Sequence, residues 1–120
     1  MSCGPPHNPY QTAPETYRAR YDAEQIELPG NVPDREAQRG RGATGREAPC
    51  TALDDCAGRL LKTLDEEGMS KDTIFLFFSD HGDMVGPRGA YNKQRPWDES
   101  IRVPFLRRYS ANSGVSVLHA

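Results

Sequence analysis

The stretch Thr73-Ile74-Phe75-Leu76-Phe77-Phe78-Ser79-Asp80-His81-Gly82-Asp83 decides how this chain folds. Its first six residues form a continuous apolar run rich in β-branched and aromatic side chains, which predicts a strand. The run does not alternate, the pattern of a strand buried on both faces, as in a parallel α/β sheet. The polar cluster follows at once, at the carboxyl end of the strand, where open α/β sheets bind their ligands. A carboxylate beside a neutral imidazole suits a divalent cation. The competing reading is a plain strand-end turn with Asp80 capping the next segment. Gly82 lets the backbone turn sharply and leaves room for a ligand.

Upstream, residues 51–67 carry Leu53, Cys56, Ala57, Leu60, Leu61 and Leu64 at three- and four-residue steps, one apolar stripe of a helix. Thr51 is placed to cap its start with Asp54 as the capping-box partner, and Gly68 stands where a left-handed C-terminal cap belongs. Helix, short turn and buried strand make half of a βαβ unit. Earlier still, residues 34–49 are polar and glycine-rich and read as a flexible loop. Residues 1–33 hold Pro5, Pro6, Pro9, Pro14, Pro29 and Pro33, which leave space only for a short helix from Glu15 to about Tyr21. Between Pro6 and Pro9 the backbone around His7 is stiff, so its imidazole could be held in place. Downstream, Lys93 follows the loop Gly86-Pro87-Arg88-Gly89, and a lysine brought back over the strand end can neutralise an oxyanion. A second strand is predicted at Ser100–Leu106, and residues 109–120 carry little information.

Composition narrows the function. The chain has 120 residues, 36% hydrophobic and 27% charged, with ten prolines and eleven glycines. That is a lean core and much loop, against an apolar share of about 45–50% in ordinary domains. The net charge of −2 offers no basic excess for nucleic acid or an anionic membrane. No stretch reaches the roughly 18 apolar residues of a membrane span, and Met1–Tyr10 holds no apolar run of the kind a signal peptide is expected to carry. Three cysteines, Cys3, Cys50 and Cys56, are too few and too far apart for a disulfide framework or a structural zinc site.

The order of several short segments carries a further reading. Pro6-His7-Asn8-Pro9-Tyr10 resembles the PHxPY segment of sulfatases. Leu28-Pro29-Gly30-Asn31-Val32 resembles their LPPNV segment, with Gly30 in place of proline. The helix from Thr51 through Gly68 is similar to the one that precedes the family's metal-binding strand. Ser79-Asp80-His81-Gly82-Asp83-Met84-Val85-Gly86 resembles the SDHGDMLG motif, and Asn92-Lys93-Gln94-Arg95-Pro96-Trp97-Asp98-Glu99-Ser100-Ile101-Arg102-Val103-Pro104-Phe105 resembles NKQxPYEESIRVPF. Each piece is modest, but together, in this order over residues 5–108, they are specific.

The resemblance implies an α/β chain with part of the alkaline-phosphatase/sulfatase-like fold, buried strands with a packed helix and long loops, and hydrolysis of sulfate esters. Residues 1–109 are then a partial catalytic domain, with 1–49 extended and loop-rich and 50–109 the helix–strand core; 110–120 form an unassigned tail. It further implies that Asp80 and His81 ligate one calcium ion, that Lys93 contacts the sulfate, and that His7 binds the sulfate or helps the leaving oxygen depart. The substrate would be a small-molecule or saccharide sulfate ester. Departures are as clear. The CxPSR or SxPSR motif that supplies the family's formylglycine is absent, and so are its paired amino-terminal aspartates. The expectation is an incomplete calcium shell, weak calcium binding and no turnover by the chain alone. The alternatives are a non-catalytic metal- or anion-binding remnant and a relative that hydrolyses phosphonate or phosphate esters. Many relatives are exported, but neither compartment nor oligomeric state is written in this sequence.

Overall fold

A computed structural model describes residues 3–33, 35, 44–109 and 114–119, the last of these in backbone only. The chain divides into two compact units, one of Met1–Ala57 with Val85–Ala90, the other of Gly58–Met84 with Tyr91–Ala120.

In the first unit a 3-10 turn at Tyr10–Thr12 leads to a short helix, α1, at Glu15–Arg18. Pro14 precedes its first residue, as the sequence suggests, but the helix ends before Tyr21 in successive turns. The proline-rich stretch that follows is held by Leu28 and Val32, both buried, with Ile26 packed against them. Arg35 donates to the carbonyls of Leu28 (2.8 Å) and Pro29 (3.3 Å), satisfying a segment with few amide donors of its own.

The long helix, α2, spans Thr44–Glu66. It therefore begins well before the predicted start at residue 51. Residues 44–49, expected as loop, are its opening turns, whereas residues 34 and 36–43 of that expected loop lie outside the described residues. Thr51 is no cap: its hydroxyl shares a hydrogen bond with that of Tyr21. Pro49 lies inside the helix, where a proline removes a backbone bond. Burial offsets that cost, since Ala48 and Pro49 are both fully buried. Gly45 is needed because a Cβ there would come within 2.8 Å of Tyr10 Cβ. At the other end the prediction stands. Gly68 is left-handed (φ 68°), and Met69 N–H and Gly68 N–H close the helix onto the carbonyls of Leu64 and Asp65.

The second unit is built on a three-stranded antiparallel sheet, β1 (Ile74–Phe78), β4 (Pro104–Tyr109) and β5 (Gly114–His119), in the order β1-β4-β5. β1 falls where the apolar run predicts it. Its pairing within this chain differs from the parallel arrangement expected: Ile74 lies opposite Tyr109, Leu76 opposite Arg107 and Phe78 opposite Phe105. Burial alternates along it. Phe75 and Phe77 are half-buried, and at the carboxyl end of α2 Leu61 and Leu64 line a hollow with Thr73, Phe75 and Arg108. Ile74, Leu76 and Phe78 are exposed, Phe78 stacking on Phe105 at 5.6 Å. Asp65 in the last turn of α2 accepts from Arg108 of β4 at 2.6 Å and from Ser70.

The second strand differs from its predicted place at Ser100–Leu106. Asp98–Ile101 form a helical turn, α3, and the strand starts at Pro104. The Trp97 carbonyl accepts from both Ser100 N–H (2.9 Å) and Ile101 N–H (3.2 Å), which draws these residues into a turn that the acidic Asp98 and Glu99 suit. Pro104, lacking an amide donor, fits the first position of a strand. Residues 114–119 of the tail pair with β4. Two-residue strands β2 (Met84–Val85) and β3 (Tyr91–Asn92) make a small ribbon. No helix among the described residues is long and apolar enough to cross a membrane.

Candidate functional site

β1 ends at Phe78, and the chain turns immediately. Ser79 Oγ donates to the carbonyl of His81 at 2.8 Å, a local serine turn that leaves Asp80 at its tip with 86% of its side chain exposed. His81 is held on both sides. Its Nδ1 lies 2.6 Å from the carbonyl of Gly82, which can only accept, so Nδ1 carries the proton. Nε2 is then the acceptor of a neutral imidazole, and Lys93 Nζ donates to it at 2.8 Å. Asp80 Oδ1 stands 3.7 Å from the same Nε2, beside it but beyond hydrogen-bonding reach. Three of the four residues singled out in the sequence, Asp80, His81 and Lys93, thus come together at the carboxyl end of β1.

His7 belongs to the first unit. It is exposed, its amide donates to the Gly4 carbonyl at 3.0 Å, and its Nδ1 lies 2.9 Å from the Asn8 carbonyl. The same logic as for His81 places the proton of a neutral His7 ring on Nδ1.

Lys93 sits in an unusual stretch of backbone. Asn92 and Gln94 on either side are both left-handed, at φ 63° and 67°. Asparagine adopts this region readily, but for glutamine it costs about 1–2 kcal/mol. Such strain persists only where surrounding structure enforces it, and it gathers at functional sites.

Gly82 serves a different purpose from the one its sequence position suggests. Its amide donates to the Ser100 carbonyl at 2.9 Å, and a Cβ on it would sit 2.3 Å from the Glu99 carbonyl oxygen. The space that glycine leaves is filled by the backbone of α3, not kept open for a ligand.

One of the two donors, the Asp80 carboxylate, is of the kind a hard cation prefers. Asp80 offers a carboxylate and His81 a neutral imidazole whose tautomer is already fixed by the Gly82 carbonyl, as outer contacts fix metal-bound histidines. Among the described residues no group of three or more His, Cys, Asp or Glu side chains converges as a metal site. Residues 2–116 match the family model described as Sulfatase. This chain belongs to the sulfatase family. It is 43% identical over 112 residues to an ulvan-active sulfatase of Formosa agariphila, covering 91% of the chain and 22% of that relative. An endo-4-O-sulfatase of Bacteroides thetaiotaomicron is 29% identical over 116 residues, with 91% and 23% covered. The crystal structure of yidJ from Bacteroides fragilis superposes with a TM-score of 0.77 at 26% identity, over 88% of this chain and 24% of that one. The sulfatase chain described here thus spans roughly a quarter of the length of these relatives, and its mixed helix–sheet architecture is a part of their fold.

Sequence reasoning placed Asp80, His81 and Lys93 by motif and missed Ser100. That serine is 3% exposed and bonds with both loops of the site. Its one signal was its place among polar neighbours in Asp98-Glu99-Ser100, read there as the start of a strand.

Proposed function

We propose that this chain forms the cation- and sulfate-facing part of a sulfatase catalytic domain, acting on sulfate esters of small molecules or saccharides. The observation that carries the reading is the 2.8 Å contact of Lys93 with a tautomer-fixed His81, beside Asp80, at the end of a sheet strand. A bound calcium ion would supply Lewis-acid stabilisation of charge on the sulfate oxygens. Asp80 and the Nε2 of His81 would hold it. For Nε2 to do so Lys93 must let go, and its ammonium is then free to bind the anionic ester as a point charge. His7 would bind the sulfate or, as a general acid, give a proton to the leaving oxygen. The names of the relatives, an ulvan-active sulfatase and an arylsulfatase among them, support a sulfate ester as the substrate class.

The sequence holds no CxPSR or SxPSR motif, so the chain by itself has no formylglycine nucleophile. Calcium takes about 6–8 oxygen ligands, and Asp80 with His81 supplies a small part of that shell. Titration calorimetry with calcium is expected to give weak, millimolar binding that Asp80→Asn abolishes. An aryl sulfate assay of the chain alone is expected to show no turnover. Calcium-dependent turnover that Asp80→Ala removes would overturn the inactive-fragment reading. Binding unchanged in Asp80→Asn would overturn the metal assignment.

A further inference from the structure

We infer that Ser100 is a positioning residue that holds the His81 and Lys93 loops in register. The inference rests on the reading of Asp80, His81 and Lys93 as the working site. Ser100 is the buried polar residue of the described chain, at 3% exposure in the middle of α3. Its two oxygens serve two different loops. The carbonyl accepts from Gly82 N–H at 2.9 Å, one residue past His81. The side-chain Oγ accepts from Arg95 N–H at 3.2 Å, two residues past Lys93. Its own N–H is anchored to the Trp97 carbonyl at 2.9 Å, so the clasp is fixed to the α3 turn and not floating.

The chemistry explains why a serine stands here. The backbone beside His81 can be held by any residue's carbonyl, provided position 82 has no Cβ to keep the chains apart. The backbone beside Lys93 is met by a side-chain acceptor on a short arm, the Ser100 hydroxyl 3.2 Å from the Arg95 amide. Serine places an oxygen one bond from Cβ and little else. The left-handed residues on either side of Lys93 make this tether necessary: a strained segment relaxes unless something holds it. Removing Oγ leaves the Arg95 amide without that acceptor and lets the lysine loop retreat, while the Gly82 bond and the His81 tautomer stay. Ser100 acts on Lys93 and His81 through the backbone.

The test reads the Lys93–His81 hydrogen bond directly. Histidine is labelled with nitrogen-15 in the imidazole ring of the full chain, and the Nε2 resonance of His81 is assigned by His7→Gln and His119→Gln. Lys93→Ala defines the resonance position of a His81 imidazole that has no lysine donor. Ser100→Ala is expected to move His81 Nε2 most of the way to that position, with amide dispersion elsewhere retained. Ser100→Thr, which keeps the hydroxyl, is expected to restore the original position. Ser100→Cys, close in size but a weak acceptor, should fall between and provides the reading should Ser100→Ala not fold. A folded Ser100→Ala or Ser100→Cys with His81 Nε2 unmoved, while Lys93→Ala moves it, would overturn the role of Ser100 and leave the site reading standing. If Lys93→Ala itself leaves His81 unmoved, there is no hydrogen bond for Ser100 to hold, and both readings fall.

Discussion

Phe78 and Met84 bracket the polar motif and sit in opposite circumstances. Phe78, the last residue of the apolar run, keeps 59% of its surface exposed, whereas Met84, just past Asp83, is wholly buried. The difference extends to their neighbours. Along β1, Ile74 and Leu76 share the open side with Phe78. In the loops beyond it, Gly82 presses on the Glu99 carbonyl, Ser100 is buried, and each is tied to another segment by a backbone bond. Apolar sequence and local burial have come apart here. The strand offers more apolar surface than this chain covers, while the loops carrying Asp80, His81 and Lys93 are locked by close backbone contact and need little apolar area. Their geometry is therefore expected to respond to small steric changes at the loops and to tolerate large chemical changes on the open side of the sheet.

The largest effect is expected at Gly82. Its φ is not left-handed, so an alanine there would adopt the backbone readily. The obstacle is space alone, because the atom opposing the new Cβ is a backbone oxygen that cannot rotate away. Gly82→Ala is expected to cost about 3 kcal/mol in urea unfolding, the upper range for an overpacked site, and to separate His81 from Lys93. A loss below about 1 kcal/mol would mean that the two loops can slide past each other, and the contrast with the strand would weaken.

Leu76→Glu probes the other side. Leu76 is 48% exposed and lies directly opposite Arg107 on β4, so the new carboxylate meets a cation across the strands. Stability is expected to change by less than about 0.5 kcal/mol, as at ordinary surface positions. A loss of more than about 1 kcal/mol would show that this side is packed in solution, and the two regions would then be alike.

How much of this was legible follows from which forces act locally. β1 was, since an apolar β-branched and aromatic run forms a strand in most settings. So was the end of α2, because Gly68 alone meets the left-handed cap at no cost. Asp80, His81 and Lys93 were found from their motif, and the structure brings them together. The start of α2 was not legible: Gly45 and Pro49 are breakers by propensity, and only the burial of Ala48 and Pro49 reverses them. Nor was the turn at Asp98–Ile101, where Ile101 and Val103 alternate like a strand until the Trp97 carbonyl captures two amides. The Gly82–Ser100 bond was out of reach because it joins segments far apart in sequence, and the left-handed Gln94 because local propensity disfavours it.

The smallest effect concerns the pair that ties α2 to β4. The Arg108 guanidinium, and then the Ser70 hydroxyl, hold the Asp65 carboxyl below its ordinary value of 3.8. A carboxyl whose folded value lies below its unfolded one binds protons more readily when unfolded. Its contribution to stability is therefore fully present above 3.8 and is lost as pH falls through the lower, folded value. Both partners are substantially exposed, so the effect is modest and salt-screened. Asp65→Asn should lower the thermal midpoint slightly near neutral pH, and the gap between variant and parent should close as the solution is acidified below 3.8. Added salt should narrow the gap near neutral pH. A gap that persists or widens on acidification would mean that Asp65 acts there through packing and not through its charge. The join between α2 and the sheet would then rest on shape, as the loops beyond β1 do, and the contrast between the two regions would narrow to the open side of the strand.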